Sequence, residues 1–396
     1  MSICGIIAEY NPFHLGHIYH IEQSRRLTGA THTVAVMSGN FVQRGEAAAV
    51  DKFARAKMAV MGGIDLVLEL PVPWAVGTAQ TFAAGSVQLL DKLGVVDRLS
   101  FGSECGDISA ISRLAEIIDS DEMRACMVPL LDSGMTFAAA RQAAAEQCCG
   151  RLSELLQSPN DTLAVEYVRA LKLLDSRILP VAVKRAGAAH DGQPDGTTAS
   201  AGYIRSCIIR GERDCVQYMP DSARDILLTE IERRRAVTDS KRLEMLILHR
   251  LRQMEPADIA ALPDISEGLE NRIYDAARNC TDPAALVDAI KVKRYTHARL
   301  RRICLSALLG VTADMTGAGI PYIRVLAMNG RGAEILGAAS GKCPLPIITR
   351  SRDAQALSGR AKAIFDAESR AVDTYGLLTE QIQPCGANLT HGIITI

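Results

Sequence analysis

The chain has 396 residues, of which 48% are hydrophobic and only 4% aromatic, and its formal net charge is -1 at pH 7. This length and apolar content are enough to bury a sizeable core and to build two or three domains. The near-neutral charge excludes a chain-wide basic field, so any affinity for nucleic acid must come from local clusters of cations.

Cysteine usage and hydropathy constrain the compartment. The chain has 11 cysteines, with no CxxC spacing and one adjacent pair, Cys148 and Cys149. This pattern is typical neither of a disulfide framework nor of a zinc site, and it indicates reduced thiols. We see no secretory leader and no run near the roughly 18 apolar residues that cross a bilayer. We therefore predict a cytoplasmic protein that does not bind membranes.

Short apolar runs alternate with helical patterns over the first 110 residues. The runs are ICGIIAEY, HTVAVMSG, IDLVLELP and RLSFGSE, separated by LGHIYHIEQSRRL, DKFARAKMAVMGG and TAQTFAAGSVQLLDKLG. Such alternation is typical of βαβ units and a parallel sheet, in which ligands bind at the carboxyl ends of the strands. Those ends hold residues 11–17, 38–44, 69–71 and 102–104, where we expect the site.

The rest of the chain changes character twice. Residues 106–177 have helical patterns, ILPVAVKRAG resembles a strand, and residues 191–202 form a predicted loop rich in Gly, Ser and Thr. Helix formers and cations dominate from about residue 220, and mixed α/β character returns later. We predict three regions: an α/β parallel-sheet domain (1–215), a mostly helical basic region (216–316) and a small α/β region (317–396).

Three histidines, His14, His17 and His20, follow the first predicted strand at three-residue intervals. They could be metal ligands on one helical face, core residues, or groups that surround an anion at the start of a helix. A helical zinc motif would normally add a carboxylate at a fixed spacing. Gly16 permits close backbone approach, and a helix N-terminus favours a phosphate group.

His14-Leu15-Gly16-His17 resembles the HxGH signature of the adenylyl-transferring α/β superfamily that includes nucleotidyltransferases and class I aminoacyl-tRNA synthetases. The resemblance implies a Rossmann-like domain in which the two histidines hold a triphosphate and stabilise charge at the α-phosphate. TTASAGYIRSCI is similar to the second signature of the superfamily, with Ser200 and Arg205 as phosphate-binding residues. The alternative is that Ser200 only caps a helix and Arg205 is solvated.

A closer resemblance extends over nearly the full chain. Segments such as GIIAEYNPFHLGHIYHI, MSGNFVQRGEAAAVDKFARAKMA, SPNDTLAVEYVRAL and KVKRYTHARLRRI resemble the tRNA(Met) cytidine acetate ligase family. The resemblance implies an ATP-dependent carbon-nitrogen ligase that makes acetyl-adenylate and acetylates N4 of the wobble cytidine of elongator tRNA(Met). It implies acetate and elongator tRNA(Met) as partners and ATP as co-substrate, with Mg²⁺ accompanying the triphosphate. We expect no obligatory protein partner and no protein metal ligands.

The resemblance also implies site residues. His14 and His17 would be catalytic. The residues implied to contact ATP are Ile7, Ala8, Glu9, Tyr10, Asn11, Pro12, Phe13, His14, Leu15, Gly16, His17, Ile18, Tyr19, His20, Gly102, Asn160 and Arg185, together with Ser200 and Arg205 of the second signature. Asp161 stands where the family commonly has a second Asn, so either Asn160 or Asp161 contacts the nucleotide; we favour Asn160.

Two basic clusters, at residues 233–235 and 291–302, are candidates for contacts with tRNA phosphates. The residues predicted to bind RNA are Arg233, Arg234, Arg294, Arg299 and Arg302, with Tyr295 as a stacking surface. The alternative for each cluster is a solvated helix face. Two other functions stay open: a nucleotidyltransferase that builds a dinucleotide cofactor or an activated alcohol, and a non-catalytic RNA-binding protein.

Overall fold

The computed structural model describes residues 1–185, 194, 198–266 and 268–396. The strands are β1 (Ile3–Ala8), β2 (His32–Ser38), β3 (Phe41–Val42), β4 (Glu46–Ala47), β5 (Leu66–Leu70), β6 (Arg98–Ser103), β7 (Leu179–Lys184), β8 (Ile323–Met328), β9 (Ile347–Ile348) and β10 (Ile394–Thr395).

Helices connect and cover these strands. In the first half of the chain they are α1 (Leu15–Thr28), α2 (Lys52–Met61), α3 (Val72–Ala75), α4 (Ala79–Leu93), α5 (Ile108–Ile118), α6 (Asp121–Asp132), α7 (Phe137–Cys149), α8 (Pro159–Leu173) and α9 (Ala201–Ile209). In the second half they are α10 (Asp221–Glu232), α11 (Lys241–Arg252), α12 (Pro256–Ala260), α13 (Leu269–Asn279), α14 (Leu286–Ile290), α15 (His297–Leu309), α16 (Gly330–Ala339), α17 (Ser351–Gln355), α18 (Gly359–Gly376) and α19 (Ala387–Thr390). Short 3-10 helices cover Gly150–Gln157, Asp214–Tyr218, Pro283–Ala285 and Ala313–Thr316.

The central sheet has, within the described residues, eight strands in the order β10-β8-β5-β2-β1-β6-β7, with β9 paired to β8. Neighbours from β5 to β7 are parallel, whereas β8 is antiparallel to β5. β3 and β4 form a separate antiparallel hairpin. The predicted α/β fold with a mostly parallel sheet is confirmed.

Both faces of the sheet are buried, which explains why its strands are continuous apolar runs. In β1, Ile3 and Ile7 pack in one core with residues of α4 and α8. Ile6 points to the other face and packs in a second core with residues of α2 and α9. The period-two alternation of strand side chains therefore serves two cores, and β1 is held between them.

A third core lies among α11, α13, α14 and α15 and includes residues of α18. Phe41 of the β3–β4 hairpin and Val72 of α3 also belong to this core. β8 and β10, from residues 317–396, join the sheet of the first region. The division at residues 215 and 316 stays a prediction.

Several predicted segments differ in detail from the structure. α10 ends at Glu232, so the arginines at 233–235 follow the helix, and Arg234 has a positive φ of 57°. α15 begins at His297, so residues 291–296 precede it. Most of the loop predicted at residues 191–202 lies outside the described residues. Among the helices of the described ranges, none is long and apolar enough to cross a membrane.

The carboxyl ends of β2, β1, β6 and β7 lie along one edge of the sheet, because these strands are adjacent and parallel. The chain leaves them at Gly39, Glu9, Glu104 and Arg185, respectively. This edge is where ligands bind in open parallel sheets.

Candidate functional site

The segment of residues 7–20 runs from the end of β1 through a loop into α1. Residues 7 and 8 end the strand, residues 9–14 form the loop, and residues 15–20 lie in the helix. Tyr10 and Asn11 are each 2% exposed and Phe13 is fully buried. Packing against the core therefore holds the loop in place.

His14 caps the N-terminus of α1 and is coupled to His17. Nδ1 of His14 accepts from the Gly16 N–H at 3.1 Å, and the His14 N–H donates to Nδ1 of His17 at 3.1 Å. Each imidazole uses Nδ1 as an acceptor, so the neutral ring carries its proton on Nε2. Neither Nε2 has a hydrogen-bond partner within the described residues. Both rings can therefore donate an N–H to a ligand.

Gly16 is required by this arrangement. A Cβ atom at this position would lie 2.8 Å from Cε1 of His14, which is too close for any side chain. The Gly16 N–H is occupied by the His14 ring. On this side of the site the donor to a ligand is thus the ring of His14 and not the backbone of Gly16.

Both histidines are neutral at neutral pH. Burial, and then the charges of Arg185 and Arg205, lower the pKa of His14 to about 3. Burial also holds the pKa of His17 well below its usual value, with further contributions from His14, His20 and Arg185. The same cations create a positive field at the start of α1, which favours a polyanionic ligand.

His20 contacts the neighbouring strand. Its Nε2 lies 3.2 Å from the hydroxyl of Ser100, which is 2.6 Å from the hydroxyl of Ser24, so these contacts join α1 to β6. Within the described ranges, no group of three or more His, Cys, Asp or Glu side chains could hold a metal ion. In that part of the chain, His14, His17 and His20 do not form such a group.

α9 brings the second predicted signature to the first loop. Arg205 donates from its guanidinium to the carbonyl oxygen of Asn11 at 2.8 Å. Ser200 is the N-cap of α9, and its hydroxyl accepts from the Tyr203 N–H at 3.1 Å. Ser200 thus caps a helix, while Arg205 lies beside the first loop and is close enough to lower the pKa of His14.

Gly102, Asn160 and Arg185 come together around Glu104. A Cβ atom at Gly102 would lie 3.4 Å from Cγ of Arg185, so the arginine covers this part of β6. Asn160, in the first turn of α8, donates from Nδ2 to Oε1 of Glu104 at 2.5 Å. Nε of Arg185 lies 3.9 Å from the same oxygen. Three residues predicted from distant parts of the chain are thus neighbours.

Asp161 differs from Asn160 in its surroundings. It is 2% exposed, and its Oδ1 accepts from the hydroxyl of Ser103 and from the Glu104 N–H at 3.0 Å. The carboxylate is thus used to shape the turn after β6. This favours Asn160 over Asp161 as the residue available to a ligand.

Comparisons with known proteins agree on one family. A family model described as HIGH Nucleotidyl Transferase matches residues 1–388. A tRNA(Met) cytidine acetate ligase from Thermoanaerobacter sp. is 39% identical over 404 residues, with 100% of both chains covered. Another from Acetivibrio thermocellus is 34% identical over 413 residues, also with 100% of both chains covered. The chain belongs to the tRNA(Met) cytidine acetate ligase family.

Solved structures of this ligase family match the whole chain. The crystal structure of apo Thermotoga maritima TmcAL, form I, has a TM-score of 0.93 and 32% identity, with 100% of both chains covered. The structure of the same protein bound with alpha-thio ATP, form II, has a TM-score of 0.92 and 31% identity, again with 100% of both chains covered. The family resemblance inferred from the sequence motifs is confirmed.

The first basic cluster of this member of the ligase family is exposed. Arg233 and Arg234 have side chains that are 59% and 67% exposed, and they pair with Glu230 at 3.7 Å and Glu380 at 3.2 Å. Arg294, of the second cluster, precedes α15. Exposed ion pairs such as those of Arg233 and Arg234 are weak and leave these two cations available to a phosphate.

The rest of the second cluster is more enclosed. Arg299 donates to the carbonyl oxygen of Asp264 at 2.7 Å, and Arg302 lies 3.7 Å from the carboxylate of Asp264. Tyr295 is 6% exposed, and the Arg299 guanidinium lies 5.0 Å from its ring centroid. A base stacks on an open ring face, so stacking on Tyr295 would require this ring to become uncovered, and its stacking role stays a prediction.

Sequence reasoning did not select Glu104, although it lies at a predicted strand end. The signal that could have identified it is a carboxylate directly after an interior parallel strand, in the run LSFGSE. Glu9 has a comparable position: burial raises the pKa of its carboxyl, and its Oε1 accepts from the Gln43 N–H of the β3–β4 hairpin at 2.9 Å. Both carboxylates position neighbouring site elements.

Proposed function

We propose that this chain joins acetate to N4 of the wobble cytidine of elongator tRNA(Met) in an ATP-dependent reaction. The observation that carries the proposal is the pair of neutral rings, His14 and His17, that offer Nε2–H donors at the start of α1. Full-length relatives are named tRNA(Met) cytidine acetate ligases, and a neighbouring structure was solved with alpha-thio ATP. These features fit nucleotide activation better than RNA binding alone.

In the first step, an acetate oxygen attacks the α-phosphorus of ATP and pyrophosphate leaves, which gives acetyl-adenylate. Negative charge develops on the phosphoryl oxygens and requires donors that are already in position. His14, His17 and Arg205 lie at the loop between β1 and α1 and are suited to this task. Because both histidines are neutral in the free protein, their Nε2–H groups meet the phosphates as hydrogen-bond donors.

In the second step, the exocyclic amine of cytosine attacks the acetyl carbonyl, AMP leaves, and the amine gives up a proton. The base must be extruded from its stack to reach the sheet edge, which costs a few kcal/mol. Phosphate contacts elsewhere on the tRNA offset this cost. We propose that Arg233, Arg234 and Arg294 of the region 216–316 supply such contacts, and that Arg299 and Arg302 mainly hold the turn at Asp264.

Mg²⁺ is the expected companion of the triphosphate. Because the described part of the chain lacks a cluster of carboxylate, histidine or cysteine ligands that could hold a metal, we propose that Mg²⁺ enters bound to ATP. The resident groups then act on the other phosphate oxygens. The nucleotide would extend from the segment 7–20 to Gly102, Asn160 and Arg185.

One experiment tests the reaction. The chain is incubated with ATP, labelled acetate and a tRNA pool, and the RNA is digested and analysed for labelled N4-acetylcytidine. Label in that nucleoside supports the proposal. Pyrophosphate release that needs neither acetate nor tRNA would favour the dinucleotide-forming alternative, and tRNA binding without turnover would favour a non-catalytic protein.

His17→Ala tests the role of the ring. We expect a folded protein whose acetate-dependent pyrophosphate release falls by about 10² to 10³, the usual loss when one preorganised donor is removed. His297→Ala is a matched control, because His297 is half exposed and pairs with Asp288 on the protein surface. Turnover by His17→Ala at the wild-type rate would contradict the assignment.

A further inference from the structure

One carboxylate oxygen beside the predicted nucleotide contacts has no partner in the part of the chain that the structure describes. Oε1 of Glu104 accepts from Asn160, but Oε2 is buried and makes no hydrogen bond within the described residues. The Glu104 side chain as a whole is 35% exposed, so the residue borders solvent while this oxygen does not. Buried polar atoms are nearly always paired, so an unpaired one points to a missing ligand group.

The chemistry of a carboxylate limits what this group can be. An ionised carboxylate only accepts hydrogen bonds, so the ligand must offer a donor. The phosphates of ATP are anionic acceptors and would be repelled. The donors of ATP are the two ribose hydroxyls and the adenine amino group, all of which belong to the nucleoside.

The position of Glu104 in the sheet agrees with a contact to the nucleoside and not to the phosphates. The phosphate donors His14 and His17 follow β1, whereas Glu104 follows β6, the neighbouring parallel strand. The Glu104 residue that carries this oxygen is held in place through its other carboxylate oxygen and its backbone. Asn160 and Arg185 contact Oε1, and the Glu104 N–H donates to Asp161 at 3.0 Å.

We propose that Glu104 is a nucleoside-selecting residue whose Oε2 accepts a hydrogen bond from the ribose or the adenine of ATP. The inference rests on the ATP-binding part of the proposed function. It also gives Asn160 and Arg185 a shared task, since both hold the carboxylate that contacts the nucleoside.

The test measures binding of four nucleotides to the full chain by calorimetry, without acetate or tRNA. The nucleotides are ATP, 2′-deoxy-ATP, 3′-deoxy-ATP and purine riboside triphosphate, which lacks the amino group. The wild-type chain should bind one of the three analogues roughly 10-fold or more weakly than ATP, because a hydrogen bond to a charged group is lost. The analogue that is discriminated against identifies the ribose hydroxyl or the adenine amine as the donor.

Glu104→Ala should bind all four nucleotides with similar affinity, and its affinity for inorganic tripolyphosphate should match that of the wild type. Glu116→Gln is the control, because Glu116 is an exposed carboxylate on α5 that pairs with Lys172 at 2.6 Å. It should retain the wild-type discrimination. If Glu104→Ala does not fold, as judged by circular dichroism, Glu104→Met carries the same comparison, because its side chain has a similar length and no carboxylate or amide oxygen to accept the hydrogen bond.

Two results would overturn the inference. One is discrimination among the four nucleotides that survives the loss of the carboxylate. The other is a loss of affinity that is equal for every nucleotide and for tripolyphosphate, which would mean that Glu104 only supports the fold of the site. A chain that selects its nucleoside through Glu104 but makes no acetylcytidine would refute the proposed reaction and leave this inference intact.

Discussion

His14 and His17 differ from solvent-exposed histidines in that the backbone fixes both of their tautomers. Their Nδ1 atoms accept from main-chain N–H groups, which leaves each Nε2–H as a donor. Burial and nearby arginines lower both pKa values, so the free rings are uncharged at neutral pH. A bound triphosphate would oppose this effect, because a nearby negative charge raises the pKa of a histidine.

ATP binding is therefore expected to take up protons through these rings. The complex would hold more protons than the free protein between the low free-state pKa of His14, about 3, and its raised value in the complex. The affinity contributed by the rings should then increase as the pH falls through this window, from the raised pKa of the complex towards the free-state value. Calorimetry in buffers of different ionisation enthalpy measures this uptake.

His14→Asn is the matched variant for that measurement, because asparagine can also cap the helix. ATP itself also exchanges protons when it binds, and it does so with both proteins. The difference in proton uptake between the two proteins therefore measures the contribution of the His14 ring. We expect greater proton uptake by the wild type. Equal uptake by the two proteins would show that His14 stays neutral in the complex.

At the scale of elements, the β3–β4 hairpin connects the first loop with α15. Its Gln43 N–H donates to Glu9, and its Glu46 lies 3.1 Å from Arg301. Gly45 has a φ of 76°, and a Cβ atom there would lie 2.8 Å from the Arg302 backbone nitrogen. The hairpin can therefore press against the helix backbone only because residue 45 is glycine.

Gly45→Ala is expected to lower the free energy of unfolding by roughly 2 to 4 kcal/mol, from left-handed strain and a clash with backbone that cannot move aside. Gly29→Ala is the control, because Gly29 has a φ of 66° and nothing within 4 Å of an added Cβ. It should cost only about 1 kcal/mol. Urea unfolding measures the free energy of unfolding of both variants. Equal losses of stability would mean that the hairpin adjusts to the added Cβ atom without an energetic penalty.

At the scale of the whole molecule, a buried charge network joins distant segments of the chain. Nζ of Lys52 lies 2.6 Å from Oε1 of Glu69 and 2.7 Å from Oδ1 of Asn388. Arg324 lies 3.4 Å from the other oxygen of Glu69. α2, β5 and β8 thus meet at one carboxylate that is 1% exposed, and α19 joins the network through Lys52.

Glu69→Gln removes the carboxylate that contacts two buried cations, and Glu368, whose pKa burial raises to about 8, replaces its charge only in part. We therefore expect a loss of about 3 to 5 kcal/mol in the free energy of unfolding. Asp366→Asn is the control, because it removes a carboxylate from an exposed pair with Lys362. That change should cost less than about 1 kcal/mol. A Glu69→Gln variant as stable as the control in urea would show that the network contributes little.

Much of the fold was predictable because its signals are local. The strands β1, β2, β5 and β6 are apolar runs whose residues face two cores, and the HxGH motif stands directly after the first of them. Two features were harder to predict: that Arg233–Arg235 lie outside a helix, and that the ring of Tyr295 is buried. Where a helix ends and whether a ring is covered depend on segments far away in sequence, such as residues 264–266 around Arg299.

The sequence by itself determined the alternation of strands and helices, the family, and the residues of the first loop, because each depends on neighbours along the chain. Only the tertiary structure decided that β8 joins β5 in the opposite direction and that Asn160 and Arg185 meet at Glu104. It also decided which nitrogens of His14 and His17 remain free to donate. These features are contacts or hydrogen-bond choices set by three-dimensional packing, and residue spacing alone does not encode them.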